Sequence, residues 1–292
     1  MSCGKTTSER KEQTNVFQTK QAVDDSNALL ALQLLVEGNS IRSTERITGI
    51  HRDTIMGLLV KAGERCEKLM TTMVRNVPAR DVQADEIWSY VGKKEGHKEH
   101  GDTRDVGDAW TFIAIERHTK MVLAFELGKR TVSSATRFIT KLANATDPNV
   151  RFQLSTDGMA AYNFPIGNIL GDRVDYGQII KIYNAATPED QRRYSPARLA
   201  ETKKTDVYGD PDFDLICPGG GGGQNGSLRQ WCKRLTRLTY AFSKKWDNLK
   251  WALSLHFAYY NFCRVHKTLK MTPAMASGIA TRVWTIAELL SA

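Results

Sequence analysis

Asp85, in the run Gln-Ala-Asp-Glu-Ile-Trp-Ser-Tyr-Val, and Asp157, in Phe-Gln-Leu-Ser-Thr-Asp-Gly, are the residues of this chain best placed to do chemistry. Each lies in or at the end of a short apolar run, a setting in which a strand holds a side chain rigidly. An ionised carboxylate is costly to bury unless a positive group meets it. Two of them, far apart in sequence and both on strands, point to a divalent-metal site in a mixed α/β domain. A third carboxylate is expected from a helix downstream. Where it is sought, the chain reads Pro-Gly-Gly-Gly-Gly-Gly-Gln-Asn-Gly-Ser. Glu86 follows Asp85 directly and, on a strand, points to the opposite face. It is read as structural or as a support to the site, and Trp88, on the same face, as core.

The elements that must position these residues follow from periodicity. Residues 1–26 are polar and aperiodic, the pattern of a disordered arm. Residues 27–76 read as a small helical domain. An apolar helix from Asn27 ends at Gly38, a short helix follows Ser40 and closes at Gly49, and a further helix runs over 52–61. Two short helices around a tight turn containing Gly give a helix-turn-helix, or an ordinary helical hairpin. In the first case Arg42, Arg46, His51, Arg52 and Thr54 are available to phosphates and base edges. Another helix is expected over 63–75.

From residue 80 the period becomes strand-like. Segments 82–91, 109–116 and 121–127 read as strands rich in β-branched and aromatic residues, with a hairpin turn over 116–120. A helix over 133–145, capped by Ser133 or Ser134, precedes a fourth strand at 150–155 and a fifth at 175–183. Three antiparallel strands, a helix, a strand, more helix and a strand match the ribonuclease-H-like order, in which the first and fourth strands lie side by side. The fold class expected is therefore α/β, a ribonuclease-H-like mixed sheet flanked by helices over 80–270, after an all-α helix-turn-helix domain. Segment 188–218 reads as a long polar connection, and 271–292 as a helical tail. Beyond the glycines, Ser227 is positioned to cap a helix carrying Arg229, Lys233, Arg234, Arg237, Lys244 and Lys245, followed by an aromatic-rich helix over 246–262. Basic residues interleaved with Trp231, Tyr240, Phe242 and Trp246 suit either a surface tracking phosphates or a solvated helix face. Arg264, His266 and Lys267 either touch phosphate or end a helix packed on the core. His97, His100 and His118 read as solvated loop residues.

Composition bounds the alternatives. The 292 residues are 41% hydrophobic and 25% charged, ordinary for a globular protein with room for a large and a smaller domain. No apolar run approaches the roughly 18–20 residues that cross a bilayer. The N-terminus lacks an apolar signal region, so a cytosolic protein is expected. Cys3, Cys66, Cys217, Cys232 and Cys263 are scattered and read as reduced thiols rather than a zinc site. A net charge of +9 favours a polyanionic partner, of which nucleic acid is the commonest.

Several segments in order resemble bacterial insertion-sequence transposases, in the branch of the first insertion sequence. They are Asp-Glu-Ile-Trp-Ser-Tyr-Val-Gly-Lys-Lys at 85–94, Ser-Thr-Asp-Gly at 155–158, Arg-Leu-Thr-Arg-Leu-Thr-Tyr-Ala-Phe-Ser-Lys-Lys at 234–245 and Tyr-Tyr-Asn-Phe-Cys-Arg-Val-His-Lys-Thr-Leu at 259–269. Segments 36–46 and 51–56 resemble the DNA-binding part of the same group. The resemblance implies a catalytic core with an Asp, Asp, Glu triad holding Mg²⁺ (or Mn²⁺), in which Asp85 and Asp157 are the catalytic metal ligands. It also implies double-stranded DNA as partner, both the element's terminal repeats and target DNA. A homo-oligomer on DNA and a cytoplasmic, nucleoid-associated location in a bacterium are implied as well.

One position departs from the family. The pattern before the basic helix resembles Val-Glu-Arg-Gln-Asn, whereas Gly221-Gly222-Gly223-Gln224-Asn225 stands here, with Gly222 in the place of Glu. Glycine offers no ligand atom and disfavours helix by about 1 kcal/mol per residue relative to Ala. Three readings stay open: an inactive relic that still binds DNA, a misread stretch of a normal gene, or a nearby acid such as Asp212 or Asp214 standing in. A non-catalytic sequence-specific DNA-binding protein is the rival function, and a ribonuclease acting on hybrids a third.

Overall fold

The computed structural model describes residues 23–183, 199–216, 226–236 and 239–292. Six strands form one sheet: β1 (Asp81–Val91), β2 (Gly107–Glu116), β3 (Val122–Gly128), β4 (Phe152–Asp157), β5 (Val174–Tyr183) and β6 (Leu199–Tyr208), in the order β3-β2-β1-β4-β5-β6. β1, β2 and β3 are antiparallel neighbours, while β4 pairs in parallel with both β1 and β5. This is the mixed ribonuclease-H-like sheet the sequence predicts. The expected polar connection over 188–218 instead contains β6, antiparallel to β5 at the sheet edge.

Helices cover both faces. α4 (Val132–Ala145) lies over β2 and β3, and its apolar face places Phe138 against Phe112 and Tyr162 with ring centroids 5.8 and 6.2 Å away. Its cap is Thr131, whose hydroxyl accepts from Ser134 N at 3.4 Å, rather than Ser133 or Ser134. α5 (Trp246–Phe262) lies against the other face, where Leu249, Leu253 and Phe257 pack with Ile87, Val91, Ile113 and Phe125.

The N-terminal helices α1 (Asp25–Val36), α2 (Ile41–Thr48) and α3 (Arg52–Met73) are not set apart from this body. Leu32, Leu58, Ala62 and Cys66 share one core with Phe112 and Phe138, and α3 runs along α5. α3 is one continuous helix where the sequence predicts two. Gly63 does not break it but faces α5, where a Cβ would stand 2.5 Å from Trp251 Cβ. The absent side chain lets the two helix backbones approach.

The basic helix expected after Ser227 is mostly not a helix. Residues 226–231 are helical, Lys233–Leu235 is a 3₁₀ turn, and 239–242 form a turn before α5 begins. Ser243 and Val91 form a parallel bridge that ties this segment to the end of β1. No helix among the described residues is long and apolar enough to cross a membrane.

Candidate nucleic-acid and metal site

The parallel pairing of β1 with β4 runs through Val82–Leu154 and Gln83–Ser155; two residues further along each strand stand Asp85 and Asp157. The two segments read from sequence are therefore brought side by side on adjacent strands, Asp85 within β1 and Asp157 at the end of β4. Strand alternation then divides the acidic pair on β1. Asp85 shares its face with Ile87 and Val91, on the α5 side, and its Oδ1 accepts from Glu86 N at 2.8 Å. Glu86 shares its face with Val82 and Ala84, on the α4 side, across from Phe112.

Arg130 links Asp157 to Glu86. Nη2 of Arg130, on the link between β3 and α4, lies 3.2 Å from Asp157 Oδ2 and 3.6 Å from Glu86 Oε2. Its guanidinium also rests over the Trp110 ring, 5.0 Å from the centroid. The Glu86 side chain is 2% exposed, against 35% for Asp157 and 42% for Arg130. Burial, with the Asp157 charge next in importance, pushes the Glu86 carboxyl up to about 8, and Asp85 adds to this, while Tyr162 and Arg130 act against it. Tyr162, wholly buried, is raised well above the usual tyrosine range by burial and by Glu86. Glu86 Oε1 and the Tyr162 hydroxyl face each other, and neither has a hydrogen bond of standard geometry among the described residues. Trp88, expected in the core, is half-buried, and its carbonyl accepts from Arg229. Among the described residues no group of three or more His, Cys, Asp or Glu could hold a metal ion. Gly222, in the expected position of the third acid, lies outside the described residues.

A cleft of about 1010 Å³ separates the N-terminal helices from the 231–244 segment. Arg42, Arg52, Lys233, Arg234 and Lys244 line it, together with Trp231, Tyr240 and Phe242. Tyr240 is fully exposed, and Lys244 Nζ sits 3.7 Å over the Phe242 ring. Phe242 in turn meets Tyr90 of β1, centroid to centroid 4.7 Å. The strand carrying the acids thus also fastens one wall of the cleft, about 13 Å further on at the usual strand rise.

The other basic residues read from sequence divide by what they touch. Arg46, His51, Lys245 and Lys267 are exposed, and His51 Nδ1 accepts from Asp53 N at 3.3 Å at the start of α3. Thr54 is half-buried. Three arginines are engaged within the fold. Arg229 donates to the carbonyls of Leu235 (2.7 Å) and Trp88 (3.2 Å), and Arg234 donates to Ser243 Oγ at 3.0 Å and contacts Met56 sulfur at 3.3 Å. Arg264 pairs with Glu37 at 2.9 Å and lies 3.9 Å over Trp231. His266 is half-buried with Nδ1 against Thr268 Oγ1, and burial lowers its pKa. Arg237 lies outside the described residues. Sequence reasoning missed Arg130 altogether; its one signal was position, just before the helix that lies over β2 and β3.

The sheet order defines the class, a ribonuclease-H-like α/β protein with an N-terminal helical region. No protein-family model and no curated protein sequence matches the chain. Among solved structures it is similar to the Mos1 transposase paired-end complex with left transposon end, at 11% identity and TM-score 0.23, over 59% of this chain and 61% of that one. It is also similar to the Mos1 strand transfer complex, at 11% identity and TM-score 0.24, over 86% and 77% of the two chains. The chain thus spans less than two thirds of the first of these. At such scores the class rests on the sheet order alone.

Proposed function

We propose that the chain is a DNA-handling protein of the ribonuclease-H-like transposase class, in the insertion-sequence branch its motifs resemble. The observation that carries this reading is the pairing of β1 with β4, which brings the Asp85-Glu86 pair and Asp157 onto adjacent strands. The cleft supplies the second half, with cationic side chains for phosphates and exposed aromatic rings for bases. α2 and the first turn of α3 act as the helix-turn-helix, because Arg42 and Arg52 reach the cleft rim from them.

Carboxylate oxygens on rigid strands are the ligand type a hard divalent cation, Mg²⁺ or Mn²⁺, takes. Bound there, such an ion would activate the attacking oxygen and stabilise the leaving one in phosphoryl transfer. Asp85 and Asp157 are the ligands the resemblance assigns. Asp157 is held by its own turn, since its Oδ1 accepts from Met159 N at 3.0 Å. Tyr162 closes the apolar side of the site against water.

A second reading, a DNA-binding protein without chemistry, is favoured by Gly222 in the place of the third acid. Duplex binding followed against salt, with nicking followed in Mg²⁺, separates the two. We expect duplex binding that falls steeply with salt and weak or absent cleavage by this chain. A salt-independent affinity counts against the cleft. Vigorous cleavage, lost in Asp157→Asn, removes the second reading.

A further inference from the structure

The cleft between the N-terminal helices and the 231–244 segment gathers positive charge with no acid to balance it. Arg42, Arg52, Lys233 and Lys244 are exposed where they line it, and no Asp or Glu is among its described lining residues. Arg234 is the half-buried cation of the set. Its guanidinium donates to Ser243 Oγ at 3.0 Å and meets Met56 sulfur at 3.3 Å, both neutral groups. Among the described residues no carboxylate pairs with it, and burial lowers its pKa. A guanidinium drawn out of water without a counter-charge is costly, and phosphate is an anion whose oxygens match its fork.

The aromatic rings of the cleft differ in what is left open. Phe242 is taken up by Tyr90 at 4.7 Å and by Lys244 Nζ at 3.7 Å, and Trp231 carries Arg264 at 3.9 Å. Tyr240 is fully exposed and makes no ring contact among the described residues. An exposed ring suits stacking by a base. Within a duplex both faces of each base are covered by its neighbours, so only an unpaired base reaches such a ring. A duplex backbone is also stiff and convex, whereas a single strand bends into a concave site. The cleft volume, about 1010 Å³, is at the upper end of that of small-ligand pockets. On the α5 side His256 adds a polar group without charge, its Nδ1 buried with no partner among the described residues.

We propose that this cleft seats an unpaired DNA strand, with a phosphate on Arg234 and a base stacked on Tyr240. This rests on the function proposed above and names the form of DNA that the cleft takes.

Fluorescence anisotropy of the full chain with a blunt duplex, and with the same duplex carrying a short 3′ or 5′ single-stranded overhang, tests it. We expect an overhang to tighten binding at least about fivefold, the gain that one stacked base supplies. Tyr240→Ala should abolish that gain and Tyr240→Phe keep it; the side chain is fully exposed, so neither change disturbs the fold. Arg234→Gln should reduce the gain as well, and Arg234→Lys recover part of it, in protein whose near-ultraviolet circular dichroism matches wild type. Equal affinity for the blunt and overhanging duplexes overturns the inference, as does a gain that survives Tyr240→Ala. If blunt-duplex binding in those cases still falls steeply with salt, the proposed function stands without the single-strand site. Failure to bind any of these DNAs removes both.

Discussion

Asp85 and Glu86 are one residue apart and serve opposite faces of β1, so the same acidic pair meets two different environments. Alternation along a strand can be read from sequence; that Arg130 links Glu86 to Asp157 cannot, because Arg130 comes from the turn between β3 and α4. Asn261 makes a similar point. It lies in the Tyr-Tyr-Asn-Phe-Cys-Arg segment that carries part of the resemblance. In the fold its side chain accepts from Val122 N at 3.0 Å and donates to Val122 O at 2.9 Å, clamping α5 to β3. Asn261→Ala leaves both backbone groups without these bonds in a buried setting. We expect a loss of ~2–4 kcal/mol in chemical denaturation, and a change within error removes the clamp. Burial pushes the thiols of Cys66 and Cys263 up to about 12 and raises Cys232. These three should resist Ellman's reagent until the protein unfolds. Fast native labelling at Cys66 would contradict the packing of α3.

α3, β6 and the basic stretch after Ser227 depart from the sequence reading, each for a physical reason. Gly63 looks like a helix end, yet α3 continues through it because Trp251 leaves no room for a Cβ. Ala is the better helix former, so on propensity alone Gly63→Ala should stabilise. Contact with the Trp251 backbone decides otherwise, and we expect a loss of ~1–3 kcal/mol by urea titration. A gain in stability would mean α3 and α5 lie further apart. β6 was hidden because an edge strand with polar residues on both faces carries no alternation, the pattern that keeps exposed edges from pairing. β1 to β5 and the order of the acidic segments were legible, since each strand has at least one buried face. The basic stretch 229–245 was legible as charge but not as shape: Arg229 and Arg234 are spent on carbonyls, a hydroxyl and a sulfur, which no periodicity announces.

At the scale of the molecule, an overall charge of +9 is partly gathered along one cleft. Lys233→Glu with Lys244→Glu should weaken duplex binding at low salt and flatten its salt dependence, measured by fluorescence anisotropy. Unchanged binding would move the interface elsewhere. The same body has an acid-sensitive point in His256, buried on α5 with Nδ1 unpartnered among the described residues. Burial first, and Arg264 next, pull its pKa from the usual 6.5 down to about 3. The folded state therefore binds fewer protons than the unfolded one between these values. Its contribution is complete above the unfolded pKa and is lost as pH falls through the window, at roughly 1.4 kcal/mol per unit. His256→Phe should flatten the fall in denaturation midpoint below pH 6.5 relative to wild type. Parallel curves would place the imidazole in contact with water.

In the function proposed, carboxylates on β1 and β4 form a cation site for cutting DNA that is short of one acid at residue 222. Nicking of supercoiled plasmid in Mg²⁺ by Gly222→Glu, alone and combined with Asp157→Asn, tests it directly. Nicking that rises well above wild type in the single variant and disappears in the double is the expected result. A silent single variant, or a double that nicks as well as the single, would contradict it.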